Sequence, residues 1–339
     1  MKGRRFFLLI GGSLLLLFLV CLLSLGLGGV KVAFSDVFSS LLSFLKNGEA
    51  RRTSGVIVIE IRLSRVLLAA MVGAALSLAG GIYQSLIRNP LGDPYILGVS
   101  SGAVLGSIIG ISLGMGATLI GSEFFAFAGG TIAIIIVYLV AKRGGRMSTV
   151  RLILAGVIVS SFFSAAAMLL FSLSPSSTVK GMLFWMMGDL SSQSLDTVLT
   201  TIPYFLLLII PAFLLSRPLS LMMVGEESAL SLGVDVERIK KISFLLASLL
   251  TGFSVSLAGA IGFVGLIIPN IVRYLAGADT RIGFPLSAIA GAIFLILSDT
   301  LARSVMAPTE LPVGVITAGV GGPFFIFLLL RRLRDELGD

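Results

Sequence analysis

The stretch ISFLLASLLTGFSVSLAGAIGFVGLIIPNIV, residues 242–272, contains no charged residue and decides the fold. A membrane-spanning helix needs about 20 apolar residues, so this stretch is too long for one ordinary span. Gly259, Gly262, Gly265 and Pro269 interrupt it. The stretch therefore predicts two membrane-spanning helices that are divided near Gly259.

The whole chain of 339 residues has the same apolar character, with 56% hydrophobic and 12% charged residues. Soluble domains carry about 25% charged residues, so a soluble enzyme, a disordered regulator and a disulfide-stapled secreted domain are excluded. The apolar runs lack the period-two alternation of a β-barrel, and helices remain as the way to satisfy backbone polar groups in lipid. The sequence predicts an all-α, polytopic membrane protein that forms one transmembrane domain over residues 1–339.

Charge-free runs and the basic ends set the number of spans at ten. Residues 2–5 and 331–334 are both rich in Lys and Arg. If both ends are cytoplasmic the count must be even, and ten spans leave most Lys and Arg residues on the inner side. The first run is too long for a signal peptide and is expected to be a retained span. The predicted spans are 6–28, 66–87, 94–114, 124–141, 152–173, 197–216, 242–259, 261–276, 282–302 and 311–330.

A short internal repeat lies within these spans. The tetrapeptide SLAG at 77–80 in the second span recurs at 256–259 in the seventh. The two spans run in opposite directions, which suggests an inverted repeat of the kind found in transporters. Chance identity in a chain rich in Ala, Gly and Leu is the alternative.

Three polar segments outside the spans are predicted to contain helices. Residues 35–46 form an amphipathic pattern typical of a helix on the outer surface, and residues 179–190 predict a second short outer helix. Residues 218–241 form the longest inner loop. Within it, residues 226–232 predict a charged amphipathic helix that Gly233 ends.

Few residues in the chain can carry chemistry. There is no histidine and one cysteine, Cys21, which excludes imidazole–zinc sites and Ser-His-Asp catalysis. No phosphate-binding loop motif occurs, so another chain must bind ATP if ATP drives this protein. Asp299 is the one acid predicted inside a span, and an ion pair with Arg303 is its simplest interpretation. Gly102, Gly106, Gly110 and Gly114 predict a face for close helix packing.

Two further local patterns leave alternatives open. Arg62 and Arg65 lie three residues apart at an outer helix start, where arginines are usually solvated or lipid-facing but also bind carboxylates of partner proteins. The turn RNPLGDP, residues 88–94, has a proline on each side of Gly92 and predicts a rigid inner turn.

Taken together, these residues resemble the ten-span permease subunits of type II ABC importers, which take up iron–siderophore chelates, haem and cobalamin. The sequence departs from the family pattern at two positions. Ser64 replaces a proline and is expected to loosen the start of the second span. Asn270 stands where the family often has a histidine after the proline that is Pro269 here. The matching stretches are 62–65 (RLSR), 73–75 (GAA), 88–94 (RNPLGDP), 96–102 (ILGVSSG), 154–156 (LAG), 185–188 (WMMG), 259–269 (GAIGFVGLIIP), 299–303 (DTLAR) and 310–314 (ELPVG).

The resemblance implies an assembly in a prokaryotic cytoplasmic (inner) membrane, with both termini in the cytoplasm. The implied partners are a second, identical permease copy that completes a homodimer, two ABC ATPase subunits that bind ATP and Mg, and a periplasmic or lipid-anchored substrate-binding protein. Nucleic acid is not among them. This chain would hold no cofactor or metal and would not be an enzyme. The implied roles are docking of the binding protein by Arg62, Arg65 and Arg303, a cytoplasmic gate formed by Asn89, Leu91, Thr149 and Val150, and coupling to the ATPase through Glu226, Glu227, Ala229, Leu232 and Gly233.

The resemblance also directs the choice of cargo. The spans offer almost no carboxylate or imidazole ligand for a bare metal ion, which favours a preformed metal chelate. Ferric siderophore is expected first, with haem and cobalamin next and an oxyanion such as molybdate as a further alternative. The rival functions are an ion-coupled secondary transporter of a small organic solute and a membrane receptor or scaffold that transports nothing.

Overall fold

The computed structural model of the chain describes residues 2–47, 53–115, 121–143 and 146–337, and within them the fold is almost entirely helical. A π-helical segment, Ile57–Leu63, joins α3 to α4, and a 3-10 turn, Pro94–Leu97, precedes α5. The short antiparallel strands β1 (Lys142–Arg143) and β2 (Arg146–Met147) join α6 to α7. The helices are α1 (Lys2–Gly26), α2 (Phe34–Asn47), α3 (Thr53–Val56), α4 (Ser64–Ile87), α5 (Val99–Ser112), α6 (Ser122–Ala141), α7 (Thr149–Leu173), α8 (Ser176–Met186), α9 (Leu195–Leu214), α10 (Ser216–Val224), α11 (Glu226–Ser231), α12 (Val236–Ala258), α13 (Val264–Ala276), α14 (Thr280–Ala302) and α15 (Val313–Leu337).

Each of the ten predicted spans overlaps a helix of the described residues. In the described residues, eight helical segments are long and apolar enough to cross a membrane, namely 7–26, 57–87, 122–141, 149–173, 195–224, 236–258, 280–302 and 313–330. The other two, α5 and α13, are shorter apolar helices of 14 and 13 residues. The largest differences from the prediction are that the second helix begins nine residues early and that the predicted inner loop 218–241 is mostly helical, since α10, α11 and the start of α12 fill it.

Gly259 divides the long charge-free stretch, as the sequence predicts. Its backbone, with φ +69° and ψ −166°, lies in a region that is essentially reserved for glycine. A Cβ atom here would also lie 2.1 Å from the carbonyl oxygen of Trp185. The chain therefore leaves α12 at Ala258 and enters α13 only at Val264.

The chain re-enters the protein after α4, which explains why α5 is short. Residues 88–93 run back along α4, so that Pro94 lies beside Gly265. A Cβ atom on Gly265 would lie 2.9 Å from Pro94 Cδ and 2.8 Å from the carbonyl oxygen of Leu76. Leu76 is about 16 Å along the helix from the end of α4, at 1.5 Å per residue. The predicted span 94–114 is therefore too long, because α5 starts deep inside the fold.

Helix α4 forms the centre of the fold and is buried along nearly its whole length. Glycines let it approach its neighbours at backbone distance. A Cβ atom on Gly73 would lie 2.2 Å from the carbonyl oxygen of Gly291 in α14, and one on Gly80 would lie 1.9 Å from that of Gly265 in α13. Small residues at such contacts permit tight packing of membrane helices.

The predicted packing face of α5 is confirmed for three of its four glycines. Gly102 and Gly106 meet the backbone of α6 at Gly129 and Phe125, and Gly110 meets the Phe125 ring. Gly114 lies beyond the end of α5, and a Cβ atom there would meet nothing within 4 Å among the described residues, so Gly114 does not belong to this packing face.

Two further expectations have different outcomes. The three polar segments contain the helices α2, α8 and α11, as predicted. The SLAG tetrapeptides occupy unequal positions, since residues 77–80 lie inside α4 whereas residues 256–259 end α12. This short identity therefore gives no structural support to an inverted repeat.

Candidate functional site

Three arginines predicted to lie on the outer side converge on one buried cluster. Arg62, Arg65 and Arg303 are only 3%, 5% and 4% exposed. The expectation of solvated or lipid-facing side chains at helix ends is therefore wrong. Helical structure begins well before Arg62, so both arginines of the second span lie inside a continuous helix.

Asp299 is the centre of this outer arginine cluster. Its Oδ1 accepts hydrogen bonds from Arg65 Nη2 at 2.7 Å and from Arg65 Nε at 3.2 Å. Its Oδ2 lies 3.4 Å from Arg303 Nε, which confirms the predicted pair within α14. Arg65 also binds Glu310 Oε2 at 2.6 Å, and this carboxylate is half exposed. Buried guanidinium groups persist because carboxylates compensate their charge.

The other two guanidinium groups hold the end of α1. Arg62 Nη1 donates to the carbonyl oxygen of Leu25 at 2.7 Å, and Arg303 Nη2 donates to that of Ser24 at 2.6 Å. The last carbonyl groups of a helix have no partner within the helix, so cationic donors there are favourable. The outer arginine cluster thus fastens α1, α4 and α14 together.

Ser64 is expected from the sequence to loosen the start of the second span, but the helix is intact there. Its hydroxyl donates to the carbonyl oxygens of Glu60 and Ile61, at 2.8 and 2.9 Å. These bonds lie where the π-helical segment passes into α4. The helix is continuous through this residue.

Hydrogen bonds within the chain hold the turn 88–94, which the sequence predicts to be a rigid inner turn. Arg88 ends α4 in the left-handed conformation with φ 54°, and its N–H donates to the carbonyl oxygen of Gln84. Asn89 Oδ1 accepts a hydrogen bond of 3.0 Å from the N–H of Leu91. The side chain of Asn89 therefore shapes the turn as well as lying at its surface.

Helix α13 anchors this turn through residues that sequence reasoning missed. Asn270 Nδ2 donates to the carbonyl oxygen of Pro90 at 2.8 Å. Arg273 Nη2 donates to Gln84 Oε1 at 2.9 Å. The only sequence signal was Asn270 as a departure from the family pattern, and nothing along the chain connects residues 90 and 270.

The other predicted gate pair lies at the start of α7. Val150 is exposed and Thr149 is half-buried. Farther along α7, a Cβ atom on Gly156 would lie 2.5 Å from the carbonyl oxygen of Ile96, just after the inner turn. The two gate segments thus belong to elements that touch at backbone distance.

Helix α11 presents only part of its predicted coupling set to solvent. Leu232 is 67% exposed, and Glu227 and Gly233 are exposed too. Ala229 is fully buried, so in this conformation it does not offer a partner a surface contact, and its coupling role stays a prediction. Gly233 ends the helix as predicted, with φ +81° and a hydrogen bond from its N–H to the carbonyl oxygen of Leu230.

Glu226 turns inward at the start of α11. It forms ion pairs with Arg88 and with Lys240 Nζ, the latter at 2.7 Å. Burial opposes ionisation of Glu226, but hydrogen bonds from Lys240 and Arg88 outweigh it and lower the pKa of this carboxyl. A concave surface that encloses about 850 Å³ lies here. Four of its charged lining residues are acidic, Glu226, Glu227, Asp235 and Glu237, and Arg88 is basic.

A separate cavity of about 490 Å³ lies between α5, α7 and α8. Its lining is apolar apart from a phenol and serine hydroxyls, with Tyr95, Ser100, Ser101, Ser160, Ser164 and Phe171 among its residues. Within the described part of the chain, no group of three or more Asp, Glu, Cys or His residues is placed to hold a metal ion. The cavity suits a large solute with an apolar surface better than a bare ion.

Comparison with known proteins agrees with this architecture. The model of the FecCD transport family matches residues 15–331. The hemin transport system permease protein HmuU of Yersinia pestis is 36% identical and covers 98% of each chain. The cobalamin import system permease protein BtuC of Halobacterium salinarum is 41% identical over 83% of this chain and 75% of its own.

A solved structure has the same fold. It is an inward-facing conformation of a transporter described as a metal-chelate type ABC transporter, with a TM-score of 0.81 and 31% identity over 96% of this chain and 99% of that chain. The family match and the relatives cover nearly the whole length. The chain belongs to the FecCD transport family and is a membrane-spanning permease subunit of an ABC transporter.

Proposed function

We propose that this permease forms the pathway through which an ATP-driven importer moves a metal chelate, with ferric siderophore ahead of haem and cobalamin. The observation that carries the choice of cargo is the 490 Å³ cavity, whose lining includes serine hydroxyls and apolar side chains but no carboxylate or amine. Such a lining accommodates a chelate whose metal is already fully coordinated. The relatives named for hemin and cobalamin support the same class.

The working assembly is two identical copies of this chain, two ABC ATPase subunits and a substrate-binding protein that is periplasmic or lipid-anchored. It lies in a prokaryotic cytoplasmic membrane with both termini on the inner side. Large apolar faces of α1, α7, α9 and α15 remain exposed in the single chain, which is what lipid contact and a second copy require. ATP and Mg belong to the ATPase subunits.

The ATPase docks on α11 at the inner face. Leu230 and Leu232 project from this short helix as apolar contacts, beside exposed Glu227. The adjoining concave surface is mostly acidic, so the matching surface of the ATPase is basic. Ala229 and Gly233 hold the shape of the helix instead of touching the partner.

The cytoplasmic gate is built from the inner turn and the start of α7. Asn89 and Leu91 lie on a turn that α13 holds in place, and Val150 is exposed on the neighbouring helix. A rigid turn suits a gate because it moves as one piece when a helix beneath it shifts.

Docking of the binding protein at the outer face takes a modified form. Arg62, Arg65 and Arg303 are committed to internal partners, so they position the docking surface and leave Glu310 as its accessible charge. Ion-coupled transport by Asp299 has no support from the geometry, since both of its oxygens face arginines.

Co-purification with the ATPase and binding protein, followed by ATP-dependent uptake of a chelate panel into liposomes, tests the proposal. The expected result is uptake of a ferric siderophore, or of haem or cobalamin, that requires all three components. Uptake of free metal ions but of no chelate would refute the cargo class.

A further inference from the structure

The side chain of Glu226 joins the inner turn to the ATPase-docking helix α11. Glu226, the first residue of α11, binds Arg88 through Oε1 and Lys240 through Oε2. Arg88 is the residue at which α4 ends and the inner turn begins. The two oxygens of one carboxylate therefore contact the turn and α12 at once.

The far side of the same turn is fixed by α13. Asn270 Nδ2 donates both to the carbonyl oxygen of Pro90, at 2.8 Å, and to that of Leu266, at 2.7 Å. Within the turn, Asn89 and Leu91 are linked by their own hydrogen bond. The turn is thus held at two points. Arg88 contacts Glu226 of α11, and the carbonyl group of Pro90 contacts Asn270 of α13.

The exposure of these groups argues against a purely stabilising role. Arg88 and Glu226 are 43% and 34% exposed in their side chains, and ion pairs of this kind contribute little to stability. Lys240, at 9%, is the buried member of the group. A carboxylate that bridges two cations nevertheless fixes geometry, because each oxygen has one partner in one direction.

The remainder of α11 offers the inner turn only an indirect connection. Ala229 is buried against the protein body, while Leu230 and Leu232 face outward. Glu226 is therefore the residue of α11 whose described contacts reach the turn directly.

We propose that Glu226 is a positioning residue that transmits movement of α11 to the inner turn through Arg88, with Lys240 as the fixed point against which it moves. The proposal rests on the proposed function, in which α11 docks on the ATPase and the turn closes the pathway. When nucleotide binding displaces α11, the Glu226–Arg88 pair moves the turn together with it. Loss of the pair leaves docking and hydrolysis in place but disconnects them from the gate.

The test uses the full permease–ATPase complex with its binding protein in liposomes. Arg88→Gln, Glu226→Gln and the double variant are compared for ATP hydrolysed per chelate imported, with Arg88→Lys as the conservative variant. We expect each Gln variant to raise this ratio by about fivefold or more, the lower end of typical coupling between sites. The double variant should be no worse than either single one, because both remove the same interaction.

Two controls separate this inference from other roles. Arg88→Lys should restore much of the coupling, and Arg238→Gln, which removes an exposed charge at the start of α12, should leave it unchanged. An unchanged ratio in Glu226→Gln overturns the inference, as does loss of ATPase co-purification, which would make Glu226 a docking residue. If the wild-type complex itself imports no chelate with ATP, it is the proposed function that fails.

Discussion

Asp299 provides the sharpest test of the outer arginine cluster. This carboxylate is 1% exposed, and it compensates Arg65 and Arg303 at 2.7 and 3.4 Å. In Asp299→Asn, Glu310 would be the one carboxylate among the described residues that still pairs with this arginine cluster. Removing one member of a buried ion pair costs about 3–5 kcal/mol, because the remaining charge is left uncompensated.

Glu310→Gln is the matched comparison, since it removes the other carboxylate that binds Arg65. The Glu310 side chain is 48% exposed, so water replaces much of what is lost. The expected cost is about 0–1 kcal/mol. Each variant removes one carboxylate that pairs with Arg65. The two carboxylates differ mainly in how deeply they are buried.

The free energy of unfolding in mixed detergent micelles measures the difference. We expect Asp299→Asn to be less stable than Glu310→Gln by about 2 kcal/mol or more. The double variant Arg65→Gln/Asp299→Asn should lose less than the sum of its single losses, since the partners share one interaction. Equal stability of Asp299→Asn and Glu310→Gln would refute the assignment of Asp299 as the centre of a buried network.

Three further predictions concern packing, docking and pH. Gly73→Ala should lower the free energy of unfolding by at least about 1–3 kcal/mol, because its Cβ would meet the α14 backbone at 2.2 Å. Gly283→Ala should lose none, since its Cβ would meet nothing within 4 Å. Equal effects of the two variants in a detergent unfolding assay would contradict the packing. Leu232→Asp should weaken binding of the ATPase in a pull-down while Leu232→Met does not, and undiminished binding of the Asp variant would exclude this contact. The pKa of Glu226 is lowered in the fold, so the ionised carboxylate should stabilise the protein fully above the ordinary pKa of 4.5. This stabilisation should disappear as pH falls through the lower folded pKa. If the stability difference between wild type and Glu226→Gln does not shrink in acid, the assignment of the ion pair is wrong.

Those features of the fold that follow from local chemistry could be predicted from the sequence. The ten apolar helices follow from uncharged runs, the break at Gly259 from its clustered glycines, and the end of α11 from Gly233. The packing of α5 on α6 follows from glycines spaced by four. Each of these signals acts within about one helix turn of the residue that carries it.

The remaining features depend on partners that are distant in the chain. Arginines near a helix start indicate a surface. Burial of Arg65 becomes favourable because Asp299 and Glu310, both over two hundred residues away, compensate its charge. The inner turn has the composition of any proline-rich turn, while the residue that anchors it, Asn270, lies on α13. The burial of Ala229 is of the same kind, since this residue of the coupling set packs into the core against side chains from other helices.

Reversal of Arg62 and Arg65 shows why this difference matters for experiments. If these arginines contacted the binding protein directly, reversed charge would weaken its docking and leave assembly with the ATPase intact. Since both guanidinium groups are buried and bound to internal oxygens, reversal should also destabilise the permease itself. A loss of docking in that variant therefore needs a stability measurement beside it.

The central claim is that this chain is a pathway whose conformational changes are driven by ATP hydrolysis in partner subunits. The most direct measurement is uphill chelate uptake into liposomes that contain the purified permease, with and without its ATPase, in the presence of an uncoupler. We expect accumulation that requires the ATPase and ATP and is insensitive to the uncoupler. Accumulation by the permease alone, driven by an ion gradient and abolished by the uncoupler, would contradict it.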